Sequence, residues 1–390
     1  MARNIMDFPV TFRPSLFRSY FLGGFECSTQ RRADGRRLDL IAGTRHDLLA
    51  QEDYRQLAEH GIRGARDGVR WHLIETAPGQ YNWSAVLPLL QAAEAAGVEV
   101  AWDLCHYGWP DGLDVFSAEF VHRFAAYSAA FARLHQEMTG RPPMVCPVNE
   151  ISFLAWAGGD MRRLNPVCEG RGGELKRQLV RAALAATEAV RRATPGATIL
   201  AIDPIIHIVP RHGQDPRPVT LYNTFQWEAW DMLAGRLAPE LGGHPDAFDV
   251  MGVNYYWNNQ WLDERDPLSP FDAARYTPVH KLFAAAHARY GKRIFLAETS
   301  IEGAPRPAWL RYIGEEMRTA IRAGVPMEGL CLYPVLSHMG WDEDRYCANG
   351  LFELEPKHGR RVVHAPLAQA LRQEQAAFAS LFAESEGAAA

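Results

Sequence analysis

The chain has 390 residues, of which 47% are hydrophobic and 22% charged, a composition typical of a globular protein with a large core. Its formal net charge of -5 provides no positive field of the kind that nucleic-acid binding requires, so nucleic acid is not expected as a partner. No apolar run of about 18 residues predicts a membrane span. The N-terminus also lacks the pattern of a signal peptide, so we expect a cytoplasmic location.

Short apolar runs alternate along the chain with longer segments of helical period. The runs predict eight strands: Tyr20–Glu26, Ile62–Val69, Val98–Cys105, Met144–Val148, Thr198–Ile202, Phe248–Val253, Arg293–Ala297 and Gly329–Tyr333. The spacing of apolar residues between them predicts helices, among them Ala85–Ala96, Ala118–Met138, Glu174–Ala193, Ala308–Ala323 and Leu367–Phe382.

Eight strand–helix units in succession, with no linker and no change in composition, favour one closed parallel barrel over an open doubly wound sheet. The predicted fold is therefore α/β, a single (β/α)8 TIM barrel over residues 1–390. A short N-terminal extension is expected at residues 1–18, and a flexible C-terminal tail from about residue 384 to residue 390.

Neither a metal site nor a cofactor site is expected. The six cysteines form no C-x-x-C pair and no Cys/His spacing that suits zinc, and several lie in apolar runs, so they are interpreted as reduced core thiols. The pair Gly23–Gly24 lacks the residues that complete a nucleotide-binding loop.

Two carboxylates follow predicted strands directly. Glu150 comes after the fourth strand and Glu298 after the seventh, and functional residues of such barrels lie at the C-terminal ends of the strands. Glycoside hydrolysis needs two carboxyl groups across the scissile bond, one protonated and one ionised. Arg66 on the second strand would keep Glu298 ionised by a charge-assisted hydrogen bond. The sequence therefore predicts a metal-free glycosidase pair.

Seven segments carry a resemblance to a known family. They are FLGGFECST, GIRGARDGVRWHLIE, LCHYGWPDGL, PVNEISF, FDVMGVNYYW, IFLAETS and GLCLYPVLSHMGW followed by Tyr346 and NGLF, in that order from about residue 20 to 353. Together they resemble the retaining glycosidases whose catalytic pair lies on barrel strands four and seven. Within that clan they are most similar to glycoside hydrolase family 1, the β-glucosidase-type enzymes.

The resemblance implies that Glu150 is the acid/base and Glu298 the nucleophile. It implies substrate-binding or supporting roles for seven further residues: Asn149 at the sugar 2-hydroxyl, Arg66 and Tyr256 beside the nucleophile, His106 at the 3-hydroxyl, Trp341 at the floor of the pocket, and Asn254 and Glu26.

Three departures indicate a divergent relative. Gly340 stands where the family has an acidic residue before the tryptophan, so glucose-type recognition does not follow from the resemblance. The glutamine expected at the end of the first motif is displaced by one position, in Ser28-Thr29-Gln30-Arg31, and Glu26 is the alternative there. The usual Glu-Asn-Gly is Glu298-Thr299-Ser300.

The favoured function is hydrolysis of a β-linked glycoside with retention, on a small-molecule or oligosaccharide substrate. A transglycosidase would use the same residues, and a catalytically inactive glycan-binding barrel is the alternative from another class; the intact catalytic pair argues against the latter. Two arginine-rich stretches, at 31–37 and 161–171, are interpreted as solvated loops or as receptors for an anionic part of the substrate. The last loop lacks the Ser/Lys/Tyr arrangement of phospho-glycosidases in the family.

Overall fold

The computed structural model describes residues 12–263, 266–270, 275–341, 344–355 and 360–387, with side chains described to residue 384. Eight parallel strands form a closed barrel: β1 (Phe21–Gly24), β2 (Gly64–Gly68), β3 (Glu99–Cys105), β4 (Met144–Val148), β5 (Thr198–Pro204), β6 (Val250–Asn254), β7 (Arg293–Thr299) and β8 (Met327–Leu332). Strand β1 pairs with both β2 and β8, which closes the barrel. The predicted (β/α)8 barrel is confirmed, and all eight predicted strands are present.

Helices follow the strands on the outside of the barrel. They are α1 (His46–Glu59), α2 (Leu87–Ala96), α3 (Ala118–Thr139), α4 (Gly172–Ala193), α5 (Glu228–Leu233), α6 (Val279–Tyr290), α7 (Arg306–Arg322) and α8 (Ala365–Gly387). The five predicted helices correspond to α2, α3, α4, α7 and α8. Helices α1, α5 and α6 were not among the named predictions.

Short elements lie in the loops. A ten-residue helix is present at Pro216–Phe225, and shorter helical segments at Leu40–Gly43, Trp71–Ile74, Trp83–Ala85, Ile151–Leu154, Ala155–Asp160 and Pro239–Leu241. Small sheets form from Glu75–Ala77 with Gln80–Tyr81, from His207–Val209 with Gln260–Leu262 and Asp266–Pro267, from His338–Met339 with Tyr346–Cys347, and from Phe352–Leu354 with Arg361–Val363.

Apolar side chains fill the space inside the strands. One buried cluster contains Met144, Leu200, Ile202, Val250 and Phe295, together with alanine and cysteine side chains of strands β3, β4 and β7. Gly252 lies in this layer, where an added Cβ would come within 2.5 Å of Ile202 and 3.0 Å of Phe295, so only glycine fits. A second, larger apolar layer separates the strands from the helices. This packing leaves the C-terminal ends of the strands as the polar end of the barrel.

The described part of the N-terminal extension lies against the opposite end of the barrel. The backbone amides of Ser15 and Leu16 donate to Glu328 Oε2 at 2.7 and 2.9 Å, and Phe17 packs on Phe295. Residues 1–11 of the predicted extension lie outside the described residues. Helix α8 continues to Gly387, so the tail expected from about residue 384 begins within its last turn, and residues 388–390 lie outside the described part.

All six cysteines are free thiols, and all but Cys168 are buried, as expected for reduced core residues. Within the described ranges, no helix combines the length and the apolar character needed to span a membrane.

Candidate active site

Glu298 lies near the C-terminal end of β7 and is 4% exposed. Arg66 Nη1 donates to its Oε1 at 2.9 Å, and the Tyr256 hydroxyl donates to its Oε2 at 2.8 Å. Burial raises the pKa of Glu298 above its usual value, while the positive charge of Arg66 and the hydrogen bond from Tyr256 act in the opposite direction. Each carboxylate oxygen of Glu298 accepts a hydrogen bond, and these two bonds favour the ionised form of the side chain.

Glu150 follows β4 in a strained turn. Its backbone adopts φ 48° and ψ 60°, a left-handed conformation that is uncommon for a residue with a side chain. Asn254 Nδ2 donates to its Oε1 at 2.8 Å, and the Tyr107 hydroxyl donates to its Oε2. Burial, and after it the charge of Glu298, raise the pKa of Glu150 to about 8. This carboxyl group is therefore held protonated at neutral pH.

The two carboxyl groups belong to one connected site. Asn254 bonds Glu150 and is also the register partner of Glu298 in the pairing of β6 with β7. Arg66 bonds one of the two carboxylates and not the other, so the cation separates their pKa values. The arrangement provides one neutral and one ionised carboxyl group, the pair that acid-assisted nucleophilic displacement needs.

A closed ring of four hydrogen-bonded side chains supports Glu298 from below. Arg66 Nη2 donates to Asp103 Oδ2 at 2.7 Å and to Asn149 Oδ1 at 3.1 Å. Asn149 Nδ2 lies 3.1 Å from His106 Nε2, and His106 Nδ1 lies 3.1 Å from Asp103 Oδ2. Since Arg66 fixes the Asn149 amide, its Nδ2 donates to Nε2, and His106 donates from Nδ1 to Asp103. The ring fixes the orientation of all four side chains.

Two further predicted residues border this centre. Glu26 Oε1 lies 4.0 Å from His106 Nε2 and accepts from the Ser28 amide at 3.1 Å. Trp341 is half-buried and packs against the ring of Tyr107 with a centroid distance of 5.5 Å. All nine predicted site residues therefore lie in one connected group at the C-terminal end of the barrel: Glu26, Arg66, His106, Asn149, Glu150, Asn254, Tyr256, Glu298 and Trp341.

The fold is shared with solved structures, although no protein-family model matches the chain and no curated protein sequence matches it. A β-glucosidase from Thermotoga maritima in complex with glucoimidazole aligns with TM-score 0.77 and 15% identity over 94% of this chain and 99% of that chain. A structure named family 1 β-glucosidase from Thermotoga maritima aligns over the same shares with TM-score 0.75 and 16% identity. The AHE enzyme from Alicyclobacillus herbarius gives TM-score 0.76 and 15% identity. The chain has the fold of the family 1 β-glucosidases.

Two residues of the site in this β-glucosidase fold were missed by the sequence analysis. Tyr107, which bonds Glu150, has a left-handed backbone with φ 68° and is fully buried. Asp103, which bonds Arg66, is 1% exposed inside the barrel. Alternation along VEVAWDLC places Asp103 on the inner face of β3, and a carboxylate that points into the barrel from an apolar strand is the signal that could have found it.

The arginine-rich loops are paired with acidic residues. Arg31 and Arg37 both bond Asp111, and Arg36 bonds Asp344 at 2.7 Å. In the second loop, the acidic partners are Glu169 for Arg162 and Glu174 for Arg171. The pairs of the first loop connect it to other loops, and those of the second loop are local, and both favour the interpretation as solvated structural loops over an anion receptor.

One group of potential metal ligands exists among the described residues: Cys27, Asp103 and His106 have ligand atoms within 4.8 Å of one another. The Arg66 guanidinium already neutralises Asp103, and burial raises the pKa of the Cys27 thiol well above its usual value. A cation would have to displace Arg66 and deprotonate the thiol, so this group fits a hydrogen-bonded support better than a metal centre.

Proposed function

We propose that this protein is a retaining β-glycosidase that hydrolyses a β-linked glycoside through a covalent glycosyl-enzyme on Glu298. The observation that carries the proposal is the unequal environment of two buried carboxyl groups. Glu298 receives two donors, one of them the Arg66 cation, while Glu150 has a pKa raised to about 8 and no cation among its described partners. The β-glucosidase fold supports the same assignment.

In the first step, Glu298 attacks the anomeric carbon as the bond to the leaving oxygen breaks, and Glu150 gives its proton to that oxygen. In the second step, Glu150 takes a proton from a water that attacks the same carbon, and the Glu298 carboxylate is released. Tyr256 and Arg66 orient Glu298, while Asn254 and Tyr107 orient Glu150. No step requires a metal ion.

The substrate is proposed to enter above the ring of supporting side chains. Asn149 and His106 would face the sugar hydroxyls, and Glu26 offers a carboxylate acceptor close to His106. Trp341 and Phe153, whose rings pack 5.9 Å apart, provide an apolar surface near Tyr107. A sugar acceptor bound at that surface in place of water would make the enzyme a transglycosidase.

The proposal is tested with 4-nitrophenyl β-glycosides in the gluco, galacto, manno and glucurono series. Proton NMR of the first product anomer gives the stereochemistry, and the expected product is the β-anomer. The Glu150→Ala variant should lose activity on poor leaving groups, which need the acid in the first step. With an activated aryl glycoside the first step still proceeds, and azide should restore turnover by replacing water in the second step, which yields a β-glycosyl azide. Glu302→Gln, four residues after Glu298 and paired on the surface with Arg345, is the control that keeps wild-type rates. An α-anomer as first product would contradict retention, and no hydrolysis of any donor would favour a glycan-binding barrel.

A further inference from the structure

The Arg66 guanidinium is completely buried and lies between two acidic side chains. It bonds Glu298 at 2.9 Å and Asp103 at 2.7 Å. Asp103 does not touch the space above Glu298, because it is 1% exposed and belongs to the ring with His106 and Asn149. One cation therefore has two counter-ions, of which only Glu298 is proposed to react.

The proposed reaction removes one of these counter-ions. When Glu298 forms a bond to the anomeric carbon, its carboxylate becomes a neutral ester, the aglycone leaves as a neutral alcohol with the Glu150 proton, and the negative charge passes to the Glu150 carboxylate. Arg66 would then be a buried cation without the charge of Glu298, and an unpaired buried charge is strongly unfavourable. Asp103 keeps its charge throughout this step, because it takes no part in bond making or breaking.

We propose that Asp103 is a positioning residue that acts as the permanent counter-ion of Arg66 and so stabilises the glycosyl-enzyme, in which Glu298 is neutral. This inference rests on the proposed role of Glu298. The same physical reasoning covers protonation of Glu298, since a proton and a glycosyl group both remove its charge. Asp103 thus sets both the acidic limb of the pH profile and the lifetime of the intermediate.

The hydrogen bonds of Asp103 allow its charge to be removed without loss of a contact. Arg66, His106 and Cys27 all approach Oδ2, at 2.7, 3.1 and 3.6 Å, whereas Oδ1 is buried and has no hydrogen-bond partner. In Asp103→Asn, the amide oxygen takes the place of Oδ2 and the amide nitrogen the place of Oδ1. The variant keeps the three contacts at the position of Oδ2 and removes the charge, and its amide N–H groups replace an oxygen that has no hydrogen-bond partner.

Other groups also contribute to the potential at Glu298. The charged or titratable side chains around it are Arg66, His106, Glu26, Glu150, Tyr107, Tyr256, Tyr333, Cys146 and Cys331. Asp103→Asn leaves all of them in place. A shift in the acidic limb therefore reports the charge at position 103.

Asp53 provides a matched control. It is a buried aspartate that bonds an arginine and a histidine, Arg361 at 2.7 Å and His46 at 2.7 Å, as Asp103 does, but it lies on α1 and has no contact with Arg66 or Glu298. Asp53→Asn should lower the thermal midpoint without moving the pH profile. It separates a general effect of losing a buried charge from the specific effect on Arg66.

The test uses the full chain with 2-deoxy-2-fluoro glycosides, and measures adduct formation and adduct decay by intact mass at several pH values. Relative to wild type, Asp103→Asn should form the adduct more slowly, lose it about tenfold faster, and show an acidic limb about one pH unit lower. Wild-type rates and an unshifted limb in a folded Asp103→Asn would overturn the inference. A lower thermal midpoint, as in Asp53→Asn, together with wild-type rates of adduct formation and decay, would also overturn it, because Asp103 would then have only a structural role. If wild type forms no adduct and hydrolyses nothing, the proposed function fails first.

Discussion

The hydroxyl of Tyr107 is the most informative single group to remove. Tyr107→Phe deletes the donor to Glu150 Oε2 and keeps the aromatic ring, which packs against His106, Phe153 and Trp341. The pocket around the ring is fully buried and no atom is added, so the fold should be retained. The change removes the hydrogen bond to the proposed acid/base, together with a longer contact of 3.3 Å that the same hydroxyl accepts from Asn149 Nδ2.

The size of the effect follows from the role of that bond. A hydrogen bond to a charged group contributes about 1.5–3 kcal/mol, and part of it persists when the carboxyl group is protonated. If the bond is stronger by about 1.4 kcal/mol in the ionised state than in the protonated state, it lowers the pKa of Glu150 by about one unit. The bond favours the ionised form, so its loss raises the pKa of Glu150 from about 8 toward about 9. The basic limb of kcat/KM, which reports loss of the acid proton, should move upward by that amount.

The assay is the pH profile of kcat/KM between pH 5 and about 10 for a 4-nitrophenyl glycoside that wild type hydrolyses. Tyr127→Phe is the control, because the Tyr127 hydroxyl bonds only the Val69 and Leu104 carbonyls, at 3.3 Å, and contacts no carboxylate in the described structure. Its profile should match wild type. A basic limb in Tyr107→Phe that stays in place or moves downward would refute the assignment of Glu150 as the group that must stay protonated.

Three further changes test the same site. Glu150→Gln should raise the free energy of unfolding by about 3 kcal/mol at pH 7. In wild type, the pKa of Glu150 is higher in the folded state, at about 8, than in the unfolded state, so the protein loses stability as the pH rises from the unfolded pKa to about 8. The glutamine variant does not titrate and avoids this loss. This would be contradicted if the variant and wild type had equal thermal midpoints at pH 7 and the difference between their midpoints were the same at pH 7 as at pH 4. Asp203→Asn keeps an acceptor for Ser152 and removes a negative charge that raises the pKa of Glu150. The basic limb of the pH profile should therefore move to lower pH, and a shift to higher pH would contradict this expectation. In Arg66→Lys, the single ammonium group cannot bond Glu298 and Asp103 as the guanidinium does, so kcat/KM should fall about 100-fold and the acidic limb should move to higher pH. A rate within twofold of wild type, measured with the same donor, would exclude an essential role for the guanidinium.

The strands and the position of the two proposed catalytic carboxylates at their ends could be predicted because their signals are local. Most barrel strands are short apolar runs, β2 with its Arg66 and Asp67 being an exception, and Glu150 and Glu298 stand out as carboxylates at the ends of two such runs. Helix α1 was missed because His46, Asp53 and Gln56 are buried polar residues on its inner face, so its apolar periodicity is weak. Their partners, such as Arg361, lie far away in sequence.

Asp103 and Tyr107 could not be assigned because their roles depend on tertiary geometry. In the pairing of β2 with β3, Arg66 is opposite Ala101 and Asp103 is opposite Gly68, so the Arg66–Asp103 bond crosses the register by two residues inside the barrel. No pattern along either strand encodes that offset. The direction of the Tyr107 side chain likewise depends on its positive φ, which residue type alone does not predict.

The most direct test of the proposed mechanism is to trap the nucleophile. Wild type and Glu298→Gln are incubated with 2-deoxy-2-fluoro β-glycosides that carry good leaving groups, and the adducts are located by intact mass and peptide mapping. The account predicts one sugar per chain on Glu298 in wild type and none in Glu298→Gln. A label on another residue, or rapid hydrolysis of the parent glycoside with no label at any position, would contradict a covalent glycosyl-enzyme on Glu298.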